Sequence, residues 1–407
     1  MIKGIVKILS IIFLFVVLAV FYLSIFGIRT EKFNNQITEN ILKLNKKINL
    51  NLNEVKYLLD PYNFTINIET KNPEILFEEN KLRIENFKTN VSLKSLINNQ
   101  FSIDDLEIET EEIRIQDIIL IARSLKNSPQ LFILDTVTKD GVVIANIKLN
   151  FDSKGKIKDD YRIIGSVKKA KFNLLNQYKL QNLNFDFDID KNKLSLKQMN
   201  AVFNNIRITS PLIQIKKKKN LFFVNGKIIN DNKKFNIQEL KPIFFDLFKS
   251  NEIKKIEFSS INDFSFNINN NLKFSDLKIE TNIDLKQLIF NVNNIKLQAY
   301  LPNFVEEMKF ENHKLTLDYE KDKLIVKGNG KILLADKVDS LSYEIEKNKN
   351  FISFNTEINL KNNLLLIDFL DYEKKAGLKS LVTIKGKFKK DKINFELISL
   401  KKKKNEI

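Results

Sequence analysis

The sequence predicts a mainly β protein with a few short helices, set behind a single N-terminal transmembrane helix. Three observations predict it. The chain opens on a long uncharged run, apolar and polar residues alternate through most of the remaining chain, and short charged or Asn-rich breaks punctuate the alternation.

The uncharged run is ILSIIFLFVVLAVFYLSIFGI, Ile8 to Ile28. As a helix it would extend about 30 Å, the thickness of a bilayer's hydrocarbon core. Lys3 and Lys7 precede it, and Arg29, Glu31 and Lys32 come after it. The positive-inside rule then sets the N-terminus in the cytoplasm. A cleaved signal peptide is the competing reading, but its apolar region would be about 7–15 residues with a small-residue cleavage site, and FYLSIFGIRT offers none. The expected anchor residues are Ile8, Phe13, Phe15, Leu18, Phe21, Leu23 and Ile28. Residues 1–30 are read as cytoplasmic stub and signal-anchor, and 31–47 as an amphipathic helix near the membrane, with Phe33, Ile37, Ile41 and Leu44 on one face. Residues 48–407 form one continuous β-rich domain on the far side.

From Ile48 onward the apolar period is two. INLNLN (48–53), FTINIE (64–69), KLRIENF (81–87), NVSLKSL (90–96), EIRIQ (112–116), VVIANIKLNF (142–151), LNFDFDID (183–190), KLSLK (193–197), FSFNINN (264–270), KLTLDYE (314–320) and FISFNTEINL (351–360) each give a strand one apolar and one polar face. DSKGK (152–156), KKKKN (216–220), EKDK (320–323) and KKDK (389–392) read as hairpin turns. QDIILIARSLKN (116–127) and IQELKPIFFDLF (237–248) read as helices, and KNNLLLIDFLDYEKK (361–375) as a third.

One phrase recurs: an apolar residue, any residue, Asn or Asp, an apolar residue, then alternation. It occurs as IENFKTNVSL (84–93), IDDLEIETEE (103–112), LQNLNFDFDI (180–189) and FSDLKIETNI (274–283). A short Asn or Asp side chain supports a turn or bulge and tolerates unusual φ, so each copy predicts a kink at which a new run of inward-facing residues begins. Ordinary strand starts would produce the same pattern.

The anchor, followed by strands of the form IENFKTNVSLKSLINNQFSIDDLEIETEEIRIQDIILIARSL (84–125) and YKLQNLNFDFDIDKNKLSLKQMNAVF (178–203), resembles the AsmA-like family of bacterial envelope proteins. The resemblance covers the anchor and residues 48–300. It implies an elongated, twisted, mostly antiparallel sheet curled into an open apolar groove that holds phospholipid acyl chains between inner and outer membranes. On that reading the groove is lined by Phe87, Val91, Leu93, Phe101, Ile103, Leu106, Ile108, Ile113 and Ile115. Further along it is lined by Leu183, Phe185, Phe187, Ile189, Leu194, Leu196, Leu277, Ile279, Ile283 and Leu285. About two dozen strands spaced ~4.8 Å apart would run on the order of 100 Å. A closed β-sandwich would bury the same residues against a second sheet.

The chemistry of the sequence argues against a reaction centre. There is no cysteine and one histidine, so disulfides and thiolate metal sites are excluded. His313 has no second histidine to form a dyad or a zinc site and reads as an exposed turn residue. Gly328-Asn329-Gly330 lacks nucleotide-loop spacing and reads as a bulge or turn. The acidic pairs Asp104–Asp105, Glu111–Glu112 and Asp159–Asp160 read as solvated charge, and Lys216–Lys219 as a hairpin tip. Lys401–Lys404 is the better candidate for an anionic surface. The net charge is +17, but Lys, Asn, Ile and Phe are all abundant, as A/T-rich coding would produce, so the charge does not argue for nucleic acid.

The expectation is therefore a non-enzymatic protein without cofactor or metal. It is single-pass in the bacterial inner membrane with its bulk in the periplasm, and it supports phospholipid transport. Its partners are membrane phospholipids. The alternative is an envelope assembly factor working with outer-membrane or other envelope proteins, without lipid conduction.

Overall fold

The computed structural model describes residues 2–32, 34–35, 38, 48–77, 80–94, 103–125, 128–152, 156–174, 178–231, 234–235, 237–240, 252–291, 297–304, 306–334, 337–389 and 392–402. The fold is mainly antiparallel β with few helices. The chain divides into two compact units, unit 1 being Met1–Asn173 with Asn182–Leu196, and unit 2 being Leu174–Gln181 with Lys197–Ile407. The division falls inside three strands, β10 (Arg162–Leu174), β11 (Tyr178–Ile189) and β12 (Lys193–Phe203), and not at a linker.

Unit 1 opens with α1 (Ile2–Ile25). No helix among the described residues is long and apolar enough to cross a membrane; the side chains of α1 are described from Leu9 onward. Between Leu9 and Ile25 they are exposed on every side, Phe13, Phe15, Leu18 and Phe21 included, and only Val20, Leu23 and Ser24 are half-buried. Ile8 belongs to the helix, but its side chain lies outside the described residues. Ile28, expected in the anchor, instead opens β1 (Ile28–Thr30). The expected amphipathic helix carried by Phe33, Ile37, Ile41 and Leu44 falls outside the described residues.

The first strands of unit 1 are β2 (Ile48–Asn51), β3 (Val55–Asp60), β4 (Thr65–Lys71), β5 (Glu74–Phe77), β6 (Asn80–Ser92), β7 (Ile103–Thr110) and β8 (Ile113–Arg114). They are followed by α2 (Ile115–Leu125), α3 (Pro129–Val137), β9 (Thr138–Asn150) and β10 (Arg162–Leu174). The ladder runs β1–β3–β4–β6–β7–β9–β10, all antiparallel, with β2–β5 paired onto β6 and β8 onto β9. KLRIENF and the first residues of NVSLKSL, read as two strands, run together as the single strand β6, which ends at Ser92; residues 95–96 lie outside the described residues. A core cluster of unit 1 is Val55, Ile68 and Val91, with Leu52, Tyr57 and Ile66 against it.

Unit 2 contains β13 (Ile206–Lys218), β14 (Leu221–Asn230), α4 (Ile237–Leu240), β15 (Glu252–Asn269), β16 (Phe274–Asn291), β17 (Glu307–Glu320), β18 (Lys323–Leu333), β19 (Val338–Lys347) and β20 (Ile352–Leu360). It ends with β21 (Leu365–Ile367), β22 (Tyr372–Lys374), β23 (Ser380–Lys389) and β24 (Lys392–Lys402). β13 to β20 pair in chain order, β20 then pairs β23, and β23 pairs β24. β21 and β22 form a separate small hairpin. The third expected helix, 361–375, is thus a correction. Its apolar residues fall on short extended pieces around a 3₁₀ turn at Asp368–Leu370, because the hairpin lays Leu365 and Ile367 onto the core. Of the helix expected over 237–248, α4 is present and residues 241–248 lie outside the described residues.

All four copies of the recurring phrase sit at irregularities. Glu85 is the extra residue between paired Ile84 and Asn86, and Asp104 the extra residue between Ile103 and Asp105. Asn182 and Asp276 take positive φ, 49° and 54°. The Asp105 carboxylate holds its bulge by accepting from the Asn90 backbone N–H (2.9 Å) and side-chain Nδ2 (2.8 Å).

Candidate functional site

In unit 1 the registers place apolar residues on one face, strand after strand. Tyr57, Ile68, Thr89, Leu106 and Leu149 form one row across β3–β4–β6–β7–β9. Thr70, Phe87, Ile108, Ile147 and Ile163 form the next, and Val91 pairs with Ile103. Ile113 faces Val143, which faces Val167. The opposite face carries Lys88, Glu107 and Lys148 in a row, with Asn146 donating to Glu107 at 3.0 Å. That donation, with Lys148 beside it, holds the Glu107 carboxyl below the ordinary carboxylate range.

Most of the expected lining of unit 1 is therefore brought together. On β11, Leu183 is buried and Phe185, Phe187 and Ile189 are half-buried, with the Phe187 ring lying on Gly165 of β10. The Asp190 amide donates to the Lys193 carbonyl at 2.9 Å, a closure that sets Ile189 opposite Leu194, and Leu196 comes next on the same face. Leu93 lies just past β6, its N–H donating to the Phe64 carbonyl at 2.9 Å. Phe101 falls outside the described residues. Ile115 is a correction: β8 ends at Arg114, and Ile115 starts α2 with its side chain against Gly141.

Unit 2 carries the longer face. One row reads Asn262, Thr281, Leu317, Val326, Ile345, Phe354, Gly386 and Phe395, from β15 to β24. Its neighbour reads Ser260, Ile283, Leu315, Gly328, Tyr343, Thr356, Ile384 and Ile398. The reverse face runs Asn282, Thr316, Lys327, Glu344, Asn355 and Lys385. Ile279, Ile283 and Leu285 stand on the apolar face as expected. Leu277 is exposed, because the bulge at Asp276 interrupts the pairing there.

His313 is a correction. It is fully buried within β17, opposite Leu285 on the apolar face, and not in a turn. Its Nε2 lies 2.9 Å from the Lys331 carbonyl, so Nε2 carries the hydrogen and donates. Nδ1 has no partner among the described residues, and the ring stacks on Phe310 at 4.9 Å. Burial pushes its pKa below the ordinary value, against the Lys331 contact. Gly328 and Gly330 lie within β18 and not in a turn, and Gly330 faces the bulge between Glu311 and Lys314 of β17, so of the expected bulge or turn the bulge is present. The Tyr343 and His313 rings lie over the two glycines, and a Cβ at either glycine would collide with those rings.

The two rims of this sheet differ. One is closed by the turns Lys219–Asn220, 270–273, Lys321–Asp322 and 348–351. At the other, longer connections fold onto the face. Leu301 and Phe304 precede β17, Leu365 and Ile367 come from the β21–β22 hairpin, and both pack with Ile332, Leu334, Leu341 and Leu360. The hairpin's neck is polar and buried. Asp339 accepts from the N–H groups of Lys361 (2.9 Å) and Asn362 (2.8 Å), and from Asn363 Nδ2 (2.8 Å). Lys374 Nζ donates to the Asn363 carbonyl. Burial pushes the Lys374 pKa down, and the Asp339 charge opposes that. Nothing in KNNLLL marks this neck in the sequence, since its partners come from three separate segments.

Three open hollows, about 800, 400 and 720 Å³, are lined mainly by the polar face, not the apolar one. In the second, Glu257 is buried beside Lys255 (3.0 Å) and Lys286 (3.7 Å), and its carboxyl is held below the ordinary range chiefly by Lys255. No group of three or more acidic or histidine residues among the described residues could hold a metal ion. No family model, curated protein or solved structure matches the chain.

Proposed function

We propose that this chain is held to a membrane by α1 and binds lipid acyl chains along the apolar sheet face, supporting phospholipid transport between the two membranes of a bacterial envelope. The observation that carries this reading is the registered apolar face of unit 2, maintained across successive strands in chain order with a polar reverse. Its open rim leaves Phe274 69 % and Ile393 54 % exposed. Apolar surface of that extent favours an apolar occupant, at about 0.8 kcal/mol per methylene removed from water. The exposed, uncharged stretch of α1 from Leu9 to Ile25 suits contact with the apolar layer of a bilayer. The orientation with the N-terminus in the cytoplasm and the β region in the periplasm rests on the flanking lysines.

Photo-crosslinking groups at Ile283 and Ile345, compared with Asn282 and Glu344 on the reverse face, test the reading in the full chain. Acyl chains of co-purified phospholipid are expected on the first pair only. Equal labelling of both faces, or no lipid on either, rejects it.

A second reading, strand addition to envelope proteins, is favoured by one feature. β24 pairs only with β23 among the described residues, and it exposes Phe395 and Ile398 with Leu397. Crosslinks from β24 to client strands without face labelling would select it.

A further inference from the structure

We infer that the turn between β3 and β4, Asp60–Phe64, is a second membrane contact, resting in the headgroup boundary of the bilayer that holds α1. The inference rests on the anchoring role proposed for α1. β1 leaves the end of α1 and runs away from it, with Ile28 opposite Tyr57 and Thr30 opposite Val55. β3 is antiparallel to β1, so beyond Tyr57 it heads back alongside the helix, and α1 and β3 are in contact. Gly27, at φ +68°, makes the approach feasible. A Cβ there would collide with the Tyr57 carbonyl and lie 3.0 Å from Leu58. The β3–β4 turn is thereby carried toward the membrane side of Ile28.

At its tip Tyr62 is 94 % and Phe64 70 % exposed. Tyrosine is enriched where a bilayer meets water, its ring in the acyl boundary and its hydroxyl in the headgroups. The turn is held by its own hydrogen bonds, so little ordering is needed on contact. Asp60 Oδ1 accepts from the Tyr62 and Asn63 N–H groups at 3.0 and 3.1 Å, and the Phe64 carbonyl accepts from Leu93 N–H at 2.9 Å. Phe64 takes φ +54°, an uncommon conformation for a bulky residue. Phe26 and Ile28, also exposed, lie at the same end of α1. Two contacts fix the orientation of unit 1 on the bilayer, where one helix would leave it free to swing.

The chain has no cysteine, so single reporters are unambiguous. The full chain carrying Asn63→Cys with an environment-sensitive fluorophore is reconstituted into phosphatidylcholine vesicles, part of the lipid brominated near the ester end of its acyl chains. Phe15→Cys reports on α1 and Lys71→Cys on the end of β4 opposite the turn. Loss of most of the fluorescence is expected at 63 and none at 71. Adding Tyr62→Ser and Phe64→Ser should return 63 to the level of 71 while 15 stays quenched. An unquenched 63 beside a quenched 15 overturns the second contact and leaves the anchor standing. An unquenched 15 overturns both.

Discussion

The two rims of the unit 2 sheet are built from the same alternating strands and finished in opposite ways. At one rim tight turns leave Phe274, Phe388, Ile393 and Phe395 exposed. At the other, inserted connections bring Leu301, Phe304 and Leu365 down onto the face and bury them. The difference teaches that alternation makes a dry face but does not dry it. Covering residues must come from outside the strands, and among the described residues they come from one side only. Packing energy is then concentrated at the strapped rim, and exposed apolar area at the open one.

The largest effect is expected at the strapped rim. Phe304→Ala and Leu365→Ala should each destabilise the folded chain by about 2–5 kcal/mol, read by denaturant unfolding in detergent. A cost no larger than at the open rim would break the comparison. Between the rims, Gly330→Ala forces a Cβ into the His313 ring and 2.7 Å from its Cα, and should cost about 1–3 kcal/mol by the same measurement.

His313 sharpens the comparison through pH. Its folded-state pKa is lowered by burial, so as pH falls the unfolded chain takes up the proton first. Stability conferred by neutral His313 is full above its ordinary pKa of about 6.5 and declines as pH drops from there through the lowered folded value. His313→Leu should flatten unfolding midpoints as pH falls below about 6.5, and an unchanged slope would refute the assignment. The smallest effect is expected at the open rim. Phe274→Ser should change stability by within about 0.5 kcal/mol while reducing co-purified lipid, and a large loss of stability there would mean that rim is packed.

Much of the fold was legible in the sequence. Alternation at LNFDFDID and KLTLDYE marked strands and identified which residues share a face, because side chains on a strand must point to opposite sides. The Asn or Asp of the recurring phrase marked bulges, because those residues tolerate left-handed backbone and bond their neighbours' N–H groups. α3 carries a start signal in Ser128-Pro129 but no amphipathic period behind it: Ser128 Oγ accepts from Leu131 N–H, and proline sits at the first helical position. His313 reads as a turn residue because it stands between the polar Asn312 and Lys314. In the fold, a bulge with Asn312 at φ +50° swings it onto the apolar face.

By itself, then, the sequence determined an apolar helix at the start, strands with one greasy side, and the places where those strands kink. These are products of short-range geometry, in which each residue's side is set by its immediate neighbours. Only the tertiary structure decided which strand lies beside which, that the greasy sides join into a face within each unit, and that straps pinned by Asp339 and Lys374 cover one rim of the face in unit 2. Those outcomes depend on groups far apart in the chain meeting at hydrogen-bond distance, and local pattern carries no record of such meetings.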